Sequence, residues 1–308
     1  MLPLWFKFLS FGRKFLSSPF SRLLIPVSWI WALVATLRGR WTSTVQVNVP
    51  VVSVGNLTVG GSGKTPLVIL LAQAFPMRKL AILSRGYGAN AGALNDEMQV
   101  IARHLPNAML YQGANRVQLA QQAVNDGAEL ILLDDGFQHR RLFRDFDLVI
   151  VRPEDWHERC LPSGSLREPV SALKRADFLF AYEPVPQQAI RLETKVIGAN
   201  DYQGQKVGIF CGIGRPEKFR ATIDSLGAKV VAELFLGDHE PISAQKLACF
   251  SAQCQRLGAK YLLCTEKDFV KLPSIAGLPV RCIEIEVVVK ESVMDWQKLI
   301  AEIEQKLT

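Results

Sequence analysis

The chain has 308 residues, of which 49% are hydrophobic and 21% are charged, and its formal net charge at pH 7 is +7. This length is sufficient for two domains with their own cores, and the composition excludes a disordered protein. Residues 1–40 contain six basic and no acidic side chains, so the rest of the chain is close to neutral. A general nucleic-acid-binding surface is therefore not expected.

The basic N-terminal segment is also apolar and aromatic. Its apolar run from Leu23 to Leu37 would form a helix of about 22 Å, whereas a bilayer core is about 30 Å thick. Arginines at positions 22, 38 and 40 bracket the run, and the Trp and Phe side chains suit a headgroup boundary. We expect residues 1–40 to be a membrane-associated segment that lies in or dips into an anionic leaflet. The alternatives are a helix packed on the protein body and a cleaved signal peptide.

From about residue 46, short β-rich runs alternate with helical ones. VNVPVVSVGN, KLAILS, AELILLDD, FDLVIVR and DFLFAYE are continuous Val/Ile/Leu runs, typical of buried parallel strands. They predict an α/β fold with a P-loop NTPase-like, doubly wound sheet. Residues 183–205 have the proline and polar content of a connector, and the alternation then restarts, with VRCIEIEVVV as one of its strands. We expect a P-loop domain at 41–205, including the connector, and a smaller C-terminal α/β/α domain at 206–308.

Residues 53–66, SVGNLTVGGSGKTP, join a predicted strand to a helix predicted from about residue 65 to 74. The glycines let backbone N–H groups converge on phosphate oxygens, and the helix N-terminus favours an anion. Lys64 would neutralise the β- and γ-phosphates, and the Thr65 hydroxyl would bind Mg²⁺. The strict pattern G-x-x-x-x-G-K-[ST] has glycine where this chain has Thr58. Threonine is compatible with a phosphate loop if the backbone at position 58 has an ordinary, negative φ. The expected nucleotide-binding residues are Thr58, Val59, Gly60, Gly61, Ser62, Gly63, Lys64 and Thr65.

A hydrophobic run ends in Asp134 and Asp135, where a metal-coordinating acid is needed beside a phosphate loop. The alternative is two solvated acids at a strand end. Several polar side chains near predicted loops are candidates to clamp phosphate or acceptor, or are structural or solvated: Asn56, Arg85, Arg116, Gln138, His139 and Arg167.

Two further residues are candidates for proton transfer. Asp96 begins a predicted helix and, taken alone, is typical of an N-cap or first-turn acid. His239 follows a predicted strand of the second domain and, taken alone, is typical of a surface loop.

Six motifs occur in order behind the basic aromatic N-terminus: VGNLTVGGSGKTP, LSRGYG, LDDGFQHR, LPSGSLREP, FCGIGRPEKF and TEKDFVKL. In this combination residues 1 to about 275 resemble the tetraacyldisaccharide 4'-kinase (lipid A 4'-kinase) family, whose P-loop has threonine at the first glycine position. The resemblance implies a lipid kinase that transfers the γ-phosphate of ATP, with Mg²⁺, to the 4'-hydroxyl of tetraacyldisaccharide 1-phosphate. It also implies the cytoplasmic face of the inner membrane, an anionic membrane surface as partner, no nucleic acid and no obligate protein partner.

The same resemblance implies roles for individual residues. Asp96 and His239 would form a dyad that activates the hydroxyl, with Lys64 as a third catalytic residue. The metal ligands would be Thr65, Asp134, Asp135 and Glu168, and the clamp would be the set of six side chains given above. The chain departs from the family pattern in two places. It has Asn95-Asp96-Glu97-Met98 for Gly-Asp-Glu-Pro, and Asp238-His239-Glu240 for Asp-His-His.

Three other functions were considered. A GTPase is disfavoured because TEKD at 265–268 has lysine third, not second as in the guanine-binding motif. A membrane ATPase of the partitioning type and a P-loop metabolite kinase remain alternatives.

Overall fold

The computed structural model describes residues 23–38, 41–86, 94–238, 240–273 and 277–307. These residues form two compact units. The first unit contains the described residues within 1–85, 107–193 and 288–308, and the second contains those within 86–106 and 194–287. The segment 86–106 thus belongs to the second unit, and the C-terminal segment 288–308 belongs to the first. A division of the chain into consecutive domains cannot represent these two exchanges. The three-part domain division at residues 40 and 205 stays a prediction.

The secondary structure elements alternate along the chain as expected. The strands are β1 (Val51–Asn56), β2 (Leu80–Ser84), β3 (Met109–Gln112), β4 (Leu130–Asp134), β5 (Phe146–Ile150), β6 (Phe178–Ala181), β7 (Ile190–Val196), β8 (Lys206–Cys211), β9 (Lys229–Phe235), β10 (Tyr261–Thr265), β11 (Val280–Ile283) and β12 (Ile285–Glu291). The helices are α1 (Ile25–Leu37), α2 (Lys64–Gln73), α3 (Asp96–His104), α4 (Arg116–Asn125), α5 (Pro216–Ser225), α6 (Ala244–Arg256), α7 (Glu266–Phe269) and α8 (Val293–Leu307).

The larger sheet has the strand order β12-β7-β6-β5-β1-β4-β2-β3. Strands β1, β2, β4 and β5 are buried at every residue, which is why each is mostly apolar in sequence. In this sheet order, every pair of neighbouring strands between β7 and β3 is parallel. The predicted α/β class with a P-loop NTPase-like parallel sheet is confirmed.

The position of β1 determines where a ligand binds. Its neighbours are β4 on one side and β5 on the other, so the chain order reverses around β1. Val54 of β1 lies opposite Asp134 of β4 in the parallel register. The loop after β1 and the residues after β4 therefore emerge side by side at the carboxyl edge of the sheet, where open α/β sheets bind ligands.

The second unit contains a four-stranded parallel sheet in the order β11-β10-β8-β9. Side chains of β8 alternate between two cores: Val207 and Ile209 pack with Phe219 of α5, whereas Phe210 packs with Phe250 of α6. Because successive strand residues point to opposite faces, this pattern places one helix on each face. The expected smaller α/β/α architecture is present.

Two segments differ from the sequence-based prediction. The connector predicted at 183–205 contains strand β7, in which Ile190 and Leu192 are buried; its prolines lie before the strand and obscured the alternation. The single strand predicted from VRCIEIEVVV divides at Glu284 into β11 and β12, which belong to different sheets. An apolar run carries no signal for a change of sheet.

Helix α1 lies against the first unit along one side only. The buried Ser28 hydroxyl is 2.8 Å from Ser163 Oγ, and Trp31 Nε1 donates to the carbonyl of Arg167 at 3.0 Å. The opposite side is an apolar face formed by Trp29, Ile30, Leu33 and Val34, which are 57–71% exposed. Within the described ranges, no helix combines the length and apolar character that a bilayer crossing requires. Helix α1 therefore packs on the protein body along one side and exposes an apolar surface along the other. Residues 1–22 of the predicted membrane-associated segment lie outside the described residues.

Candidate active site

The glycine-rich loop after β1 has the backbone shape that phosphate binding requires. Gly60 and Gly63 have φ values of 103° and 85°, in the region that favours glycine. A β-carbon at Gly63 would also lie 2.7 Å from the ring of Tyr182, whose hydroxyl donates to the Gly63 carbonyl at 3.2 Å. The Ser62 hydroxyl is buried without a hydrogen-bond partner among the described residues. Helix α2 begins at Lys64, so its N-terminal N–H groups face the loop.

Thr58, at the position where the strict motif has glycine, is fixed by its side chain. Its hydroxyl accepts hydrogen bonds from Arg152 Nη2 at 2.6 Å and from Asn56 Nδ2 at 3.1 Å. Arg152 is in turn paired with the buried Asp155 at 3.3 Å. Among the described residues, positive φ at a non-glycine residue occurs only at Asp135 and Ser292, so Thr58 has the ordinary φ expected for it. Threonine at this position therefore contributes a hydrogen-bonding anchor that glycine lacks.

The LPSGSLREP motif runs alongside the start of the phosphate loop. The backbone N–H of Val59 donates to the Ser165 carbonyl at 3.0 Å, and that of Arg167 donates to the Leu57 carbonyl at 2.7 Å. These two bonds hold the segment antiparallel to residues 57–59. They are the reason that Arg167, distant in sequence, lies beside the loop.

Lys64, Asn56, Asp135 and Arg167 form one connected cluster. Lys64 Nζ is 3.2 Å from Asn56 Oδ1 and 3.4 Å from Asp135 Oδ1. Arg167 contacts both oxygens of Asp135, at 2.7 and 2.8 Å, and also donates to Asn56. Burial alone would raise the pKa of Asp135, but Arg167 and Lys64 hold it well below the usual range. The carboxylate is therefore ionised at neutral pH and orients both cations.

Two more arginines act electrostatically on this cluster. Burial and, to a smaller extent, the nearby charge of Arg85 lower the pKa of Arg116 to about 10. Burial also lowers the pKa of Arg85, with Asp135 opposing and Arg167 adding to the effect. These effects mean that Arg116 lies near Arg85, and Arg85 near Arg167, in a partly desolvated place. Such an arrangement is stabilised by a polyanion.

The predicted metal ligands occupy different environments. Asp134 and Thr65 are buried, the first at the end of β4 and the second in the first turn of α2. Glu168 is engaged by two arginines, Arg140 at 3.0 Å and Arg175 at 2.8 Å. Its assignment as a metal ligand stays a prediction, and this double ion pair gives it a structural role. In the part of the chain that the structure describes, no group of three or more His, Cys, Asp or Glu residues could hold a metal ion.

Gln138 and His139 lie in the turn after β4, three and four residues beyond Asp135, and differ in their contacts. Gln138 Nε2 donates to the Asn56 carbonyl at 2.9 Å, which ties the end of β1 to the turn after β4. Burial lowers the pKa of His139 to about 4, and the nearby charge of Arg116 contributes in the same direction. The His139 ring is therefore neutral at physiological pH and adds no charge to the cationic cluster.

The depressed pKa of His139 predicts a pH dependence of stability. An unfolded histidine titrates near 6.5, so between about pH 6.5 and 4 the unfolded state binds more protons. The free energy of unfolding should therefore fall as pH decreases through this window. We expect His139→Asn to remove about 1–2 kcal/mol of this fall, a value reduced for solvent screening of a half-buried ring. Urea unfolding at pH 7 and pH 5 measures it. His157→Asn, at an exposed position, is the matched control; equal pH dependence in both variants would contradict the prediction.

The two residues of the predicted dyad are described unequally. Asp96 is the first residue of α3, in the second unit, and its Oδ2 is 3.3 Å from Lys271 Nζ. It is thus a first-turn acid, and Asn95 is the N-cap. His239 lies outside the described residues. The geometry of the dyad stays a prediction.

The departures Asn95 and Met98 compensate each other. Asn95 Oδ1 accepts a hydrogen bond from the Met98 N–H at 2.9 Å and so caps α3. A proline at position 98 has no N–H to donate, so an asparagine cap there would have no partner. Met98 is also fully buried in the core. The pair therefore replaces Gly and Pro together and leaves Asp96 in the first helical turn.

Arg152 and Tyr182 are two contacts of the phosphate loop that sequence reasoning missed. Arg152 is the last residue of the predicted strand FDLVIVR, and Tyr182 is the second-last residue of DFLFAYE, so both follow strands of the sheet that contains β1. Polar residues at the carboxyl ends of parallel strands are the signal that could have found them.

Comparison with known proteins places this geometry in a family. Residues 20–308 match the Tetraacyldisaccharide-1-P 4'-kinase family. The chain is 34% identical over 311 residues to the tetraacyldisaccharide 4'-kinase of Syntrophotalea carbinolica, covering 85% of this chain and 86% of that protein. It is 32% identical over 317 residues to the tetraacyldisaccharide 4'-kinase of Chlamydia trachomatis, covering 86% of each.

A solved structure also matches. LpxK from Aquifex aeolicus, crystallised in complex with ATP, superimposes with a TM-score of 0.76 at 27% identity. The match covers 92% of this chain and 99% of that one. The similarity thus extends over both units and includes a nucleotide-bound relative.

Proposed function

The chain belongs to the tetraacyldisaccharide-1-P 4'-kinase family, and on that premise we propose that it transfers the γ-phosphoryl group of ATP to the 4'-hydroxyl of tetraacyldisaccharide 1-phosphate. It is an ATP-dependent phosphotransferase with an alcohol group as acceptor, and its product is an intermediate of lipid A biosynthesis. A relative of the same fold binds ATP, which supports ATP as the donor.

The observation that carries the proposal is the cationic cluster beside the phosphate loop. Lys64 and Arg167 are oriented by the single carboxylate of Asp135, and Arg85 and Arg116 add two further charges. Loop N–H groups and these side chains together would hold the β- and γ-phosphates. In phosphoryl transfer, positioning and charge neutralisation supply most of the catalysis, and these residues supply both.

The loop also offers ligands that suit Mg²⁺. The Thr65 hydroxyl and the carboxylates of Asp134 and Asp135 are oxygen donors, the type that Mg²⁺ prefers. One or two protein ligands suffice, because Mg²⁺ in such sites takes its remaining ligands from phosphate and water. When bound, the ion would neutralise charge on the β- and γ-phosphate oxygens.

Activation of the acceptor is assigned to Asp96 and His239. The 4'-hydroxyl oxygen attacks the γ-phosphorus, the bond to the ADP oxygen breaks, and the hydroxyl proton passes to His239. Asp96 would orient the imidazole and stabilise its protonated form. General-base catalysis of this kind contributes about 10²–10⁴-fold.

The substrate also assigns a location. Four acyl chains hold the acceptor in a bilayer, and the exposed apolar face of α1 would bring the enzyme to that surface. The basic residues of the N-terminal segment favour an anionic leaflet. Because ATP is the donor, we assign the enzyme to the cytoplasmic face of the inner membrane.

The direct test uses purified protein, γ-labelled ATP, Mg²⁺ and the tetraacylated disaccharide 1-phosphate in mixed micelles. Label is expected on the lipid, and not on an analogue that lacks the 4'-hydroxyl. His239→Asn should lower the turnover by about 10²-fold or more while ATP binding persists. Release of labelled phosphate without labelled lipid would favour an ATPase and overturn the proposal.

A further inference from the structure

Helix α3, which begins at Asp96, is joined to the TEKDFVK segment of the same unit by contacts between ionisable side chains. Three pairs make the connection: Asp96 with Lys271 at 3.3 Å, Glu97 with Lys267 at 2.7 Å, and His104 with Glu266 at 2.6 Å. Both ends of the helix are therefore held. The proposed function gives this motif no task, although it follows β10 directly.

The contact at Asp96 is more buried than its neighbour at Glu97. The Lys271 and Asp96 side chains are 18% and 10% exposed, whereas those of Lys267 and Glu97 are 29% and 32% exposed. Lys271 Nζ also lies 4.0 Å from a second buried carboxylate, Asp268. One ammonium group thus stands between two carboxylates that would otherwise repel each other, and a buried ion pair of this kind fixes geometry.

Asp268 is itself rigidly held. Its Oδ2 accepts a hydrogen bond from the Thr265 hydroxyl at 2.6 Å, and its Oδ1 accepts one from the Gly212 N–H at 2.9 Å. Burial raises the pKa of Asp268, and these two hydrogen bonds and Lys271 oppose the shift. The carboxylate therefore links the TEKDFVKL motif to the FCGIGRPEKF motif.

The backbone at Gly212 also lies close to the turn formed by Gly237 and Glu240. A β-carbon at Gly212 would lie 2.8 Å from the Glu240 carbonyl and 3.2 Å from the Gly237 carbonyl, so only glycine allows this approach. The loop is closed by its own bonds: the Glu240 N–H donates to the Gly237 carbonyl at 2.9 Å, and the Gly237 N–H donates to Glu240 Oε2 at 2.7 Å. Glu240, a departure from the family pattern, thus stabilises this turn through its backbone and side-chain hydrogen bonds with Gly237.

We propose that Lys271 is a positioning residue for Asp96, and that Lys271 and Asp268 together form a bracket that fixes Asp96 to the backbone at Gly212, which lies against Gly237 and Glu240. The inference rests on the proposed role of Asp96 in activating the acceptor hydroxyl. Lys271 touches neither substrate in this role. Lys271 acts by holding the Asp96 carboxylate. Lys271 is itself held by Asp268, which accepts a hydrogen bond from the backbone N–H of Gly212.

The test compares two neighbouring lysines that make the same kind of ion pair with α3. Lys271→Met should lower kcat for lipid phosphorylation by about 10–100-fold, because a displacement of about 1 Å can cost about 10²-fold. The KM for ATP should stay within about twofold, since the donor site is formed by other residues. Lys271→Arg, which retains the charge, should restore most of the rate. Lys267→Met is the matched control and should keep kcat within about twofold of the unsubstituted enzyme.

A double-mutant cycle separates positioning from general stability. In the Asp96→Asn background, Lys271→Met should cause no further loss of kcat, because the group it orients is gone. Equal losses of kcat in both lysine variants, or the full Lys271→Met loss persisting in the Asp96→Asn background, would overturn the inference. If Lys271→Met does not fold, as judged by circular dichroism, Lys271→Gln is used in the same comparison.

The cycle also distinguishes this inference from the proposed function. If Asp96→Asn retains full kcat, the assigned role of Asp96 fails, and the bracket fails with it. If Asp96→Asn is inactive but Lys271→Met is unaffected, only the bracket is wrong. If the unsubstituted enzyme transfers no label to lipid, the proposed function itself fails.

Discussion

Replacing Lys64 by methionine is expected to reduce phosphoryl transfer at saturating ATP by about 10³-fold, the upper range for loss of one donor to developing charge. Lys64 is the first residue of α2, and its ammonium group lies between Asn56 and Asp135 at the mouth of the phosphate loop. Methionine keeps an unbranched side chain of similar length and removes the ammonium group, with its charge and its N–H donors. The fold should survive, because Asp135 keeps both contacts with Arg167.

The measurement is the steady-state rate of lipid labelling over a range of ATP concentrations, together with the melting temperature. Lys79→Met, at an exposed lysine of the same unit, is the control and should leave both unchanged. A Lys64→Met protein with at least a tenth of the normal rate would contradict the assignment of this loop as the donor site. Loss of rate accompanied by unfolding would instead show that the Lys64–Asp135 pair is needed for stability.

Making the apolar face of α1 polar is expected to raise the KM for lipid in vesicles by about 10–100-fold. The triple variant Ile30→Gln, Leu33→Gln, Val34→Gln removes three side chains that are 57–63% exposed. Each should lose about 1 kcal/mol of membrane partitioning, roughly half the value for full burial of such a side chain. The buried side of the helix is untouched, so kcat and the KM for ATP should not change.

The experiment measures vesicle sedimentation and lipid kinetics in parallel. Met77→Gln with Met294→Gln is the control, because both methionines are highly exposed apolar residues elsewhere on the first unit. An unchanged KM for lipid in the triple variant would mean that α1 does not deliver the enzyme to its acceptor. Deleting residues 1–36 should raise the KM for lipid in the same direction.

The central part of the fold and of the site could be predicted because the relevant signals are local. Strands β1 and β4 are largely apolar, the phosphate loop follows β1 directly in the sequence, and the two acids stand at the end of β4. Parallel strands bring their carboxyl ends to one edge, so Lys64 and Asp135 were expected together, and the structure joins them at 3.4 Å.

What could not be predicted depends on contacts between distant residues. The anchor of Thr58 is Arg152, 94 positions away, and nothing in the sequence around either residue specifies the pair. The metal-ligand role of Glu168 is implied by the family resemblance and stays a prediction, whereas its ion pairs with Arg140 and Arg175 could not be predicted from the sequence. The Asn95–Met98 bond is local, but it becomes visible only when the two departures from the family pattern are considered together.

The hydrogen bond from the Trp31 indole to the carbonyl of Arg167 has a consequence for how this enzyme is prepared. A truncated version made by cutting away α1 loses this hydrogen bond to the LPSGSLREP segment beside the phosphate loop, and it loses its lipid affinity as well. Its turnover would understate that of the intact enzyme, even with a short-chain acceptor dissolved in water. Conversely, binding of α1 to a bilayer would hold the segment of Ser163 and Arg167 in place through Ser28 and Trp31, so membrane binding and catalysis would be coupled.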